Sequence, residues 1–243
     1  MMRRKTLRRL AVIVVLVILV FCGLHFLLFP QQTRSILINF FPLKKDKLLY
    51  HRENISSPKV DSLQALIAQA KSKMLHFWPE DHSRPTIIYC DTDEDFETFG
   101  AGGAVPAITY LKLDGYIIVS LNGVDTNILA HEMMHVALYN RIGFITYNVK
   151  IPTWFDEGLA MQADDRAYYS EDTLKAKTND FKKMPDITKY ATGKSFQSGS
   201  PEEIMLHYLL AKHVVHLWYT PEKLETFIHD LQSGKSFESS FRP

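Results

Sequence analysis

The sequence predicts an α+β domain carried on an N-terminal transmembrane helix. Three observations predict it. Residues 11–29 form an almost unbroken apolar run behind a basic tail. Three short β-rich runs, Thr86 to Cys90, Ala107 to Leu111 and Gly115 to Leu121, sit between one helical pattern and several later ones. A segment from about 127 to 141 is apolar on nearly every side, which marks a buried helix, and it carries two histidines.

Length and composition set the outer limits. A chain of 243 residues allows one domain of ordinary size plus an appendage. Its 46% hydrophobic and 23% charged content are those of a globular protein. A formal net charge of +1 gives no basic surface of the kind that binds nucleic acid, so no such partner is expected. Two cysteines, Cys22 and Cys90, make no disulfide framework, and Cys22 lies inside the apolar run.

Residues 1–10 hold Arg3, Arg4, Lys5, Arg8 and Arg9 and read as a cytoplasmic tail. At helical rise, the run 11–29 just crosses a bilayer core. It exceeds a signal-peptide core, and no small-x-small cleavage site follows. Phe21 is too large for a lipoprotein site at Cys22. An uncleaved anchor is expected, with the rest of the chain periplasmic or extracellular. Arg34, Lys44, Lys45 and Lys47 weaken the charge asymmetry. Residues 30–58 read as a juxtamembrane linker, either lying on the membrane surface or partly packed.

Residues 59–243 read as the globular domain. Val60, Leu63, Leu66, Ile67, Ala70 and Met74 recur at helical spacing and predict a packing helix over 60–77. Asp91 to Glu97 predicts a surface turn or short helix with solvated carboxylates. Residues 100–103 read as a flexible loop. Asp125 or Thr126 can cap the 127–141 helix, and Gly143 can stop it.

That helix contains His131-Glu132-Met133-Met134-His135. Histidines four apart on a helix share one face, so both imidazoles can reach one metal ion. Composition alone gives about 0.02 such matches in a chain of this size, so the spacing is suggestive by itself. The next segment strengthens it. Pro152-Thr153-Trp154-Phe155-Asp156-Glu157-Gly158-Leu159-Ala160 brings a carboxylate, Glu157, at the start of a second helix. His131, His135 and Glu157 make a three-ligand set with one position open, as in catalytic zinc sites. Zinc is the default for this set, with manganese and cobalt not excluded. Glu132 is placed to take a proton from water. Thr153 reads as an N-cap with Asp156 completing a capping box, and Asp164 or Asp165 as a polar helix end or an orienter of a ligand histidine.

Leu129 to Val136 together with Trp154 to Ala160 resembles the gluzincin zinc metallopeptidases, and among them the peptidase MA-like domains, which pair HExxH with W-x-x-E-G-L-A. The likeness spans roughly residues 85–240. It implies a thermolysin-like domain with a small mixed sheet over the active-site helix, one zinc ion per chain, and hydrolysis of peptide bonds with Glu132 as general base. It also implies an oxyanion donor from a later helix. Tyr208 and His207, with Tyr190 behind them, are the candidates. It further implies an edge strand that binds extended polypeptide. The run 115–121 takes that place, with Tyr116, Ile118 and Val119 as substrate-binding residues. Residues 171–200 can partly cover the cleft. Ser200-Pro201-Glu202-Glu203 starts a helix running to about 219, and Thr220-Pro221-Glu222 starts another, ending near Gly234. Two rivals stand beside the peptidase: a peptide-recognition module of the same fold without useful turnover, and a membrane-anchored scaffold with core histidines.

Overall fold

A computed structural model of the protein describes residues 2–80, 82–100 and 105–242. Helix α1 spans Met2–Leu28. Phe29 leaves helical geometry, and Pro30, which has no N–H to lose, opens α2 at Pro30–Ile36. Strands β1 (Leu43–Asp46) and β2 (Leu49–Arg52) form a hairpin, and α3 follows at Ser57–Phe77. Then come β3 (Thr86–Tyr89), α4 (Asp93–Phe99), β4 (Ala107–Leu111) and β5 (Gly115–Val119). The rest is helical: α5 (Thr126–Lys150), α6 (Thr153–Ala160), α7 (Glu171–Lys177), α8 (Gly193–Phe196), α9 (Pro201–Trp218), α10 (Pro221–Gln232) and α11 (Phe237–Ser240).

The five strands form one mixed sheet in the order β1-β2-β3-β5-β4. The two hairpins pair antiparallel, and β3 joins β2 and β5 in parallel. Side chains alternate across the sheet. Ile87, Ile117 and Val119 face the core that holds α3, α5 and α9. Ile88, Tyr116 and Ile118 face a smaller core with Phe96 and Phe99 of α4. Stretch 30–58, expected as a linker, therefore belongs to the domain: its hairpin extends the sheet, and Ser35 of α2 bonds the Phe99 carbonyl. The loop expected at 100–103 lies mostly outside the described residues.

The sheet order corrects the expected edge. Strand β5 is paired on both sides, and its residues Tyr116, Ile118 and Val119 are buried. A run apolar at every position is the mark of an interior strand. The edge on that side is β4. Ser120 N–H donates to the Pro106 carbonyl, and Lys112 N–H to the Asp114 carbonyl. Both continue the β4–β5 register, so Ile108–Ile118 and Tyr110–Tyr116 are the hydrogen-bonded pairs. The backbone groups of Ala107, Thr109 and Leu111 consequently point outward. Among the described residues no backbone group pairs with them.

Helix α5 is the centre of the domain. Asp125 caps it by accepting from the Asn127 and Ile128 amides. Gly143 breaks it at φ 77°, a left-handed value glycine adopts readily, and Phe144–Lys150 resumes in a new direction. Below the site, α6 packs on α9 at Gly158, where a Cβ would lie 2.5 Å from the Ala211 carbonyl oxygen. Only a glycine permits that approach. Phe155 is fully buried among Trp218, Phe227, Phe237 and Phe241. Burying one such ring contributes about 1.5–3 kcal/mol, which anchors the short α6 to the C-terminal helices.

Candidate metal centre

The i, i+4 spacing on α5 aims His131 and His135 at one point, and their Nε2 atoms are 3.1 Å apart. Glu157, just past the first turn of α6, completes the cluster. Its Oε2 is 3.3 Å from His131 Nε2 and 3.8 Å from His135 Nε2. Ligands at 2.0–2.1 Å around a tetrahedral ion stand about 3.3 Å apart, so these spacings match such a site. The buried Glu157 Oε2 also has no hydrogen-bond partner. A buried carboxylate oxygen left that way is costly unless a cation takes it. His131, His135 and Glu157 are thus positioned to hold a metal ion.

The surrounding charge favours a cation. Burial works against a charged His135, but Asp156, then Glu157 and Glu132, outweigh it and push its pKa up to about 10. The same carboxylates that hold that proton would attract a metal ion in its place.

Asp156 belongs to the site. The N-cap of α6 is Pro152, one residue earlier than expected, and it makes no side-chain cap. Asp156 is thereby turned to the histidines, with Oδ2 3.0 Å from His135 Nδ1. Tyr147, after the Gly143 break, donates its hydroxyl to the same Oδ2. A carboxylate behind a ligand histidine fixes its ring and tautomer. Asp164 and Asp165 do not fill that role. Asp164 is buried and held by Arg166, while Asp165 pairs with Lys73 at 2.7 Å.

Glu132 lies beside the cluster and accepts from Thr109 Oγ1 at 2.5 Å. Tyr208 reaches the site from α9, its ring 6.5 Å from that of His131, with its hydroxyl accepting from Gln197 Nε2 at 2.9 Å. Burial, with Glu157 nearby, raises the Tyr208 pKa, so its hydroxyl keeps its proton. His207 instead binds the Phe196 carbonyl at 2.7 Å and packs its ring, tilted, against that of Tyr190, outside the cleft lining.

These groups line an open cleft of about 310 Å³. Its wall on the sheet side is Ala107, Ile108, Thr109 and Leu111 of the free edge. Tyr116, Ile118 and Val119 do not reach it. Of the 171–200 stretch, Gln197 alone contributes to the lining. The sequence reading therefore missed Asp156, Tyr147, Thr109 and Gln197. Asp156 was detectable as a second carboxylate next to a ligand, whereas Thr109 and Gln197 come from distant segments and Tyr147 lies past the Gly143 break, where the periodicity of α5 no longer fixes its direction. In comparisons with known proteins, the chain matches no protein-family model and no curated protein.

Proposed function

We propose that this protein is a membrane-anchored zinc metallopeptidase of the gluzincin, thermolysin-like type, which hydrolyses peptide bonds outside the cytoplasm. The observation that carries the reading is the joint placement of three metal-ligating atoms, a neighbouring carboxylate held by Thr109 and an open strand edge in one cleft. His131, His135 and Glu157 would hold the zinc ion. Bound zinc supplies Lewis acidity, which acidifies water and polarises a carbonyl.

The chain's own residues do the rest. An extended peptide pairs with the outward backbone groups of Ala107, Thr109 and Leu111, in place of the strand expected from the sequence. Thr109 occupies Oε2 of Glu132, which leaves Oε1 to take a proton from the attacking water and pass it to the leaving amine. Tyr208, protonated and facing His131, donates to the developing oxyanion. The chain resembles gluzincins in both halves of its motif, and that supports the reading.

Helix α1 supports the anchor. Thr6–Leu28 is long and apolar enough to cross a bilayer, and the basic tail favours a cytoplasmic N-terminus. The deciding experiment compares the parent with Glu132→Gln. Both should carry about one zinc per chain, and the variant should lose ~10²–10⁴-fold in peptide turnover. Equal turnover removes Glu132 from the mechanism. No turnover by the zinc-loaded parent on a broad peptide library leaves a peptide-recognition module, and a parent without metal leaves a scaffold.

A further inference from the structure

Among the described residues, a group of apolar side chains outside the cleft is left largely exposed. Leu113, at the β4–β5 turn, is 85% exposed. Phe144, Ile145 and Val149, after the Gly143 break, are 50%, 75% and 77% exposed. Ile145 and Val149 are one turn apart on the same helix face, with Phe144 bordering it. Scattered apolar side chains at a surface need no explanation. These four are not scattered relative to α1.

Contacts tie both groups to the point where α1 ends. Lys112 Nζ lies 5.7 Å from the centre of the Phe29 ring, directly after α1, and Leu113 is its neighbour in sequence. The Lys112 carbonyl accepts from the Tyr139 hydroxyl, and the Tyr139 ring meets that of Tyr147 edge-on at 5.6 Å. Tyr147 and the exposed trio share one short helix, with Ile145 and Val149 on the face away from Tyr147. The apolar window of α1 is itself wholly unburied. The end of α1 thus lies beside the turn that carries Leu113, so an α1 that spans lipid brings that turn to the bilayer, and this favours a bilayer over a protein as the cover. A lysine over an aromatic ring at the end of an apolar helix is also the composition of a membrane–water interface.

The cleft has a fixed relation to this surface. Leu111 and Tyr147 line it; Leu111 precedes Lys112, and Tyr147 belongs to the 144–150 helix. Thr109, which holds Glu132, is three residues before Lys112, which directly follows β4, or about 10 Å at strand rise.

We propose that Leu113 and the Phe144, Ile145 and Val149 face dock on the surface of the bilayer that α1 spans. The cleft then opens beside the membrane and takes polypeptide segments close to where they leave it. This rests on the reading of the chain as a membrane-anchored peptidase. Substrates presented this way carry a peptide bond within a few extended residues of the bilayer, so membrane-tethered polypeptides are the substrate class.

The test uses the full chain in phosphatidylcholine–phosphatidylglycerol vesicles. In a Cys22→Ser background, an environment-sensitive fluorophore is placed at Leu113→Cys, Ile145→Cys, Val15→Cys within α1, or Asp172→Cys as an aqueous reference. Quenchers are carried either on lipid acyl chains or in water. Lipid-borne quencher should dim the labels at 113, 145 and 15 but not the one at 172. Labels at 113 and 145 that behave like 172, while 15 is dimmed, leave the anchor intact and overturn the docking. An undimmed label at 15 overturns the anchor and the docking with it. Labels at 113 and 145 shielded from both quenchers mean that protein covers the patch, which also overturns the proposal. For the substrate class, a peptide tethered to a membrane helix should be cleaved at least ~10-fold more efficiently than the same peptide free in solution. Leu113→Ser with Ile145→Ser should lower cleavage of the tethered peptide alone. Equal efficiency on tethered and free peptide by the docked protein overturns the substrate class.

Discussion

Thr109 Oγ1 donates to Glu132 Oε2 at 2.5 Å, so one residue of the free sheet edge holds the carboxylate next to the metal ligands. Its backbone faces outward while its side chain faces α5. Peptide binding and base orientation thus meet at one position. Thr109→Val keeps the shape and removes the donor. A hydrogen bond to a charged group contributes about 1.5–3 kcal/mol, so turnover should fall roughly 10-fold or more. Bound metal should not change, and Thr109→Ser should restore most of the rate. Steady-state kinetics with metal quantification checks this, and full turnover by the Val variant removes the positioning role.

Asp156 and Glu157 are adjacent, yet they should fail differently. Glu157→Ala removes a ligand and should drop bound metal well below one per chain. Asp156→Ala leaves the three ligands but frees the His135 ring, whose Nδ1 now faces that carboxylate at 3.0 Å. Loss of such a partner typically weakens metal affinity by ~10–100-fold. Chelator competition separates the two. If Asp156→Ala binds metal as tightly as the parent, packing alone orients His135. If Glu157→Ala keeps a full complement, the third ligand is another carboxylate.

What could be read from the sequence follows the range of each interaction. His131, Glu132 and His135 were legible because helical periodicity fixes their geometry within five residues. Glu157 was legible because it lies within two turns of the start of the next helix. The α9 start was legible for the same local reason, and Ser200 and Glu203 do form a capping box. Sheet order was not legible, because pairing is settled by distant partners. The lysine-rich β1 resembles a linker, yet charge on a short outer strand is how sheets blunt an edge. Asp95 shows the same limit. In the sequence it is one of several acidic residues in a polar stretch, whereas in the fold it is buried and paired with Arg52 at 2.5 and 2.6 Å. Thr109 offered no signal at all, since its contact with Glu132 depends on which strand closes the sheet.

Gly158 tests the packing that carries Glu157. A methyl group there would meet the Ala211 carbonyl oxygen at 2.5 Å and Val215 Cγ2 at 2.7 Å. Backbone on one side leaves little room to yield. Gly158→Ala should destabilise the domain by about 1–3 kcal/mol, the range for overpacked cores. It should also displace Glu157, so metal affinity falls with stability. Thermal unfolding with and without metal checks both. Unchanged melting would mean that α9 moves aside freely and that this contact does not set the position of α6.

The register of β4 gives the sharpest test of where substrate binds. Proline removes one backbone N–H and fixes φ, so its effect depends on where that N–H points. At Ile108 and Tyr110 the N–H groups bond Ile118 and Tyr116, and proline there should damage the sheet. At Ala107 and Leu111 they point to the open edge, so the fold and metal should survive while peptide cleavage falls. Thr109 is left out of the scan because its side chain also serves Glu132. The expected result alternates along the strand: stability lost at 108 and 110, cleavage lost at 107 and 111. Proline in β5, at Ile117 or Ile118, should instead unfold the domain at either position, because that strand is paired on both sides. Circular dichroism, metal content and cleavage rates read all three properties on each variant. If Ala107→Pro and Leu111→Pro both fold and cleave like the parent, peptide does not add to this edge. Another wall of the cleft must then bind it, and the α9 side, with Gln197 and Tyr208, is the one left.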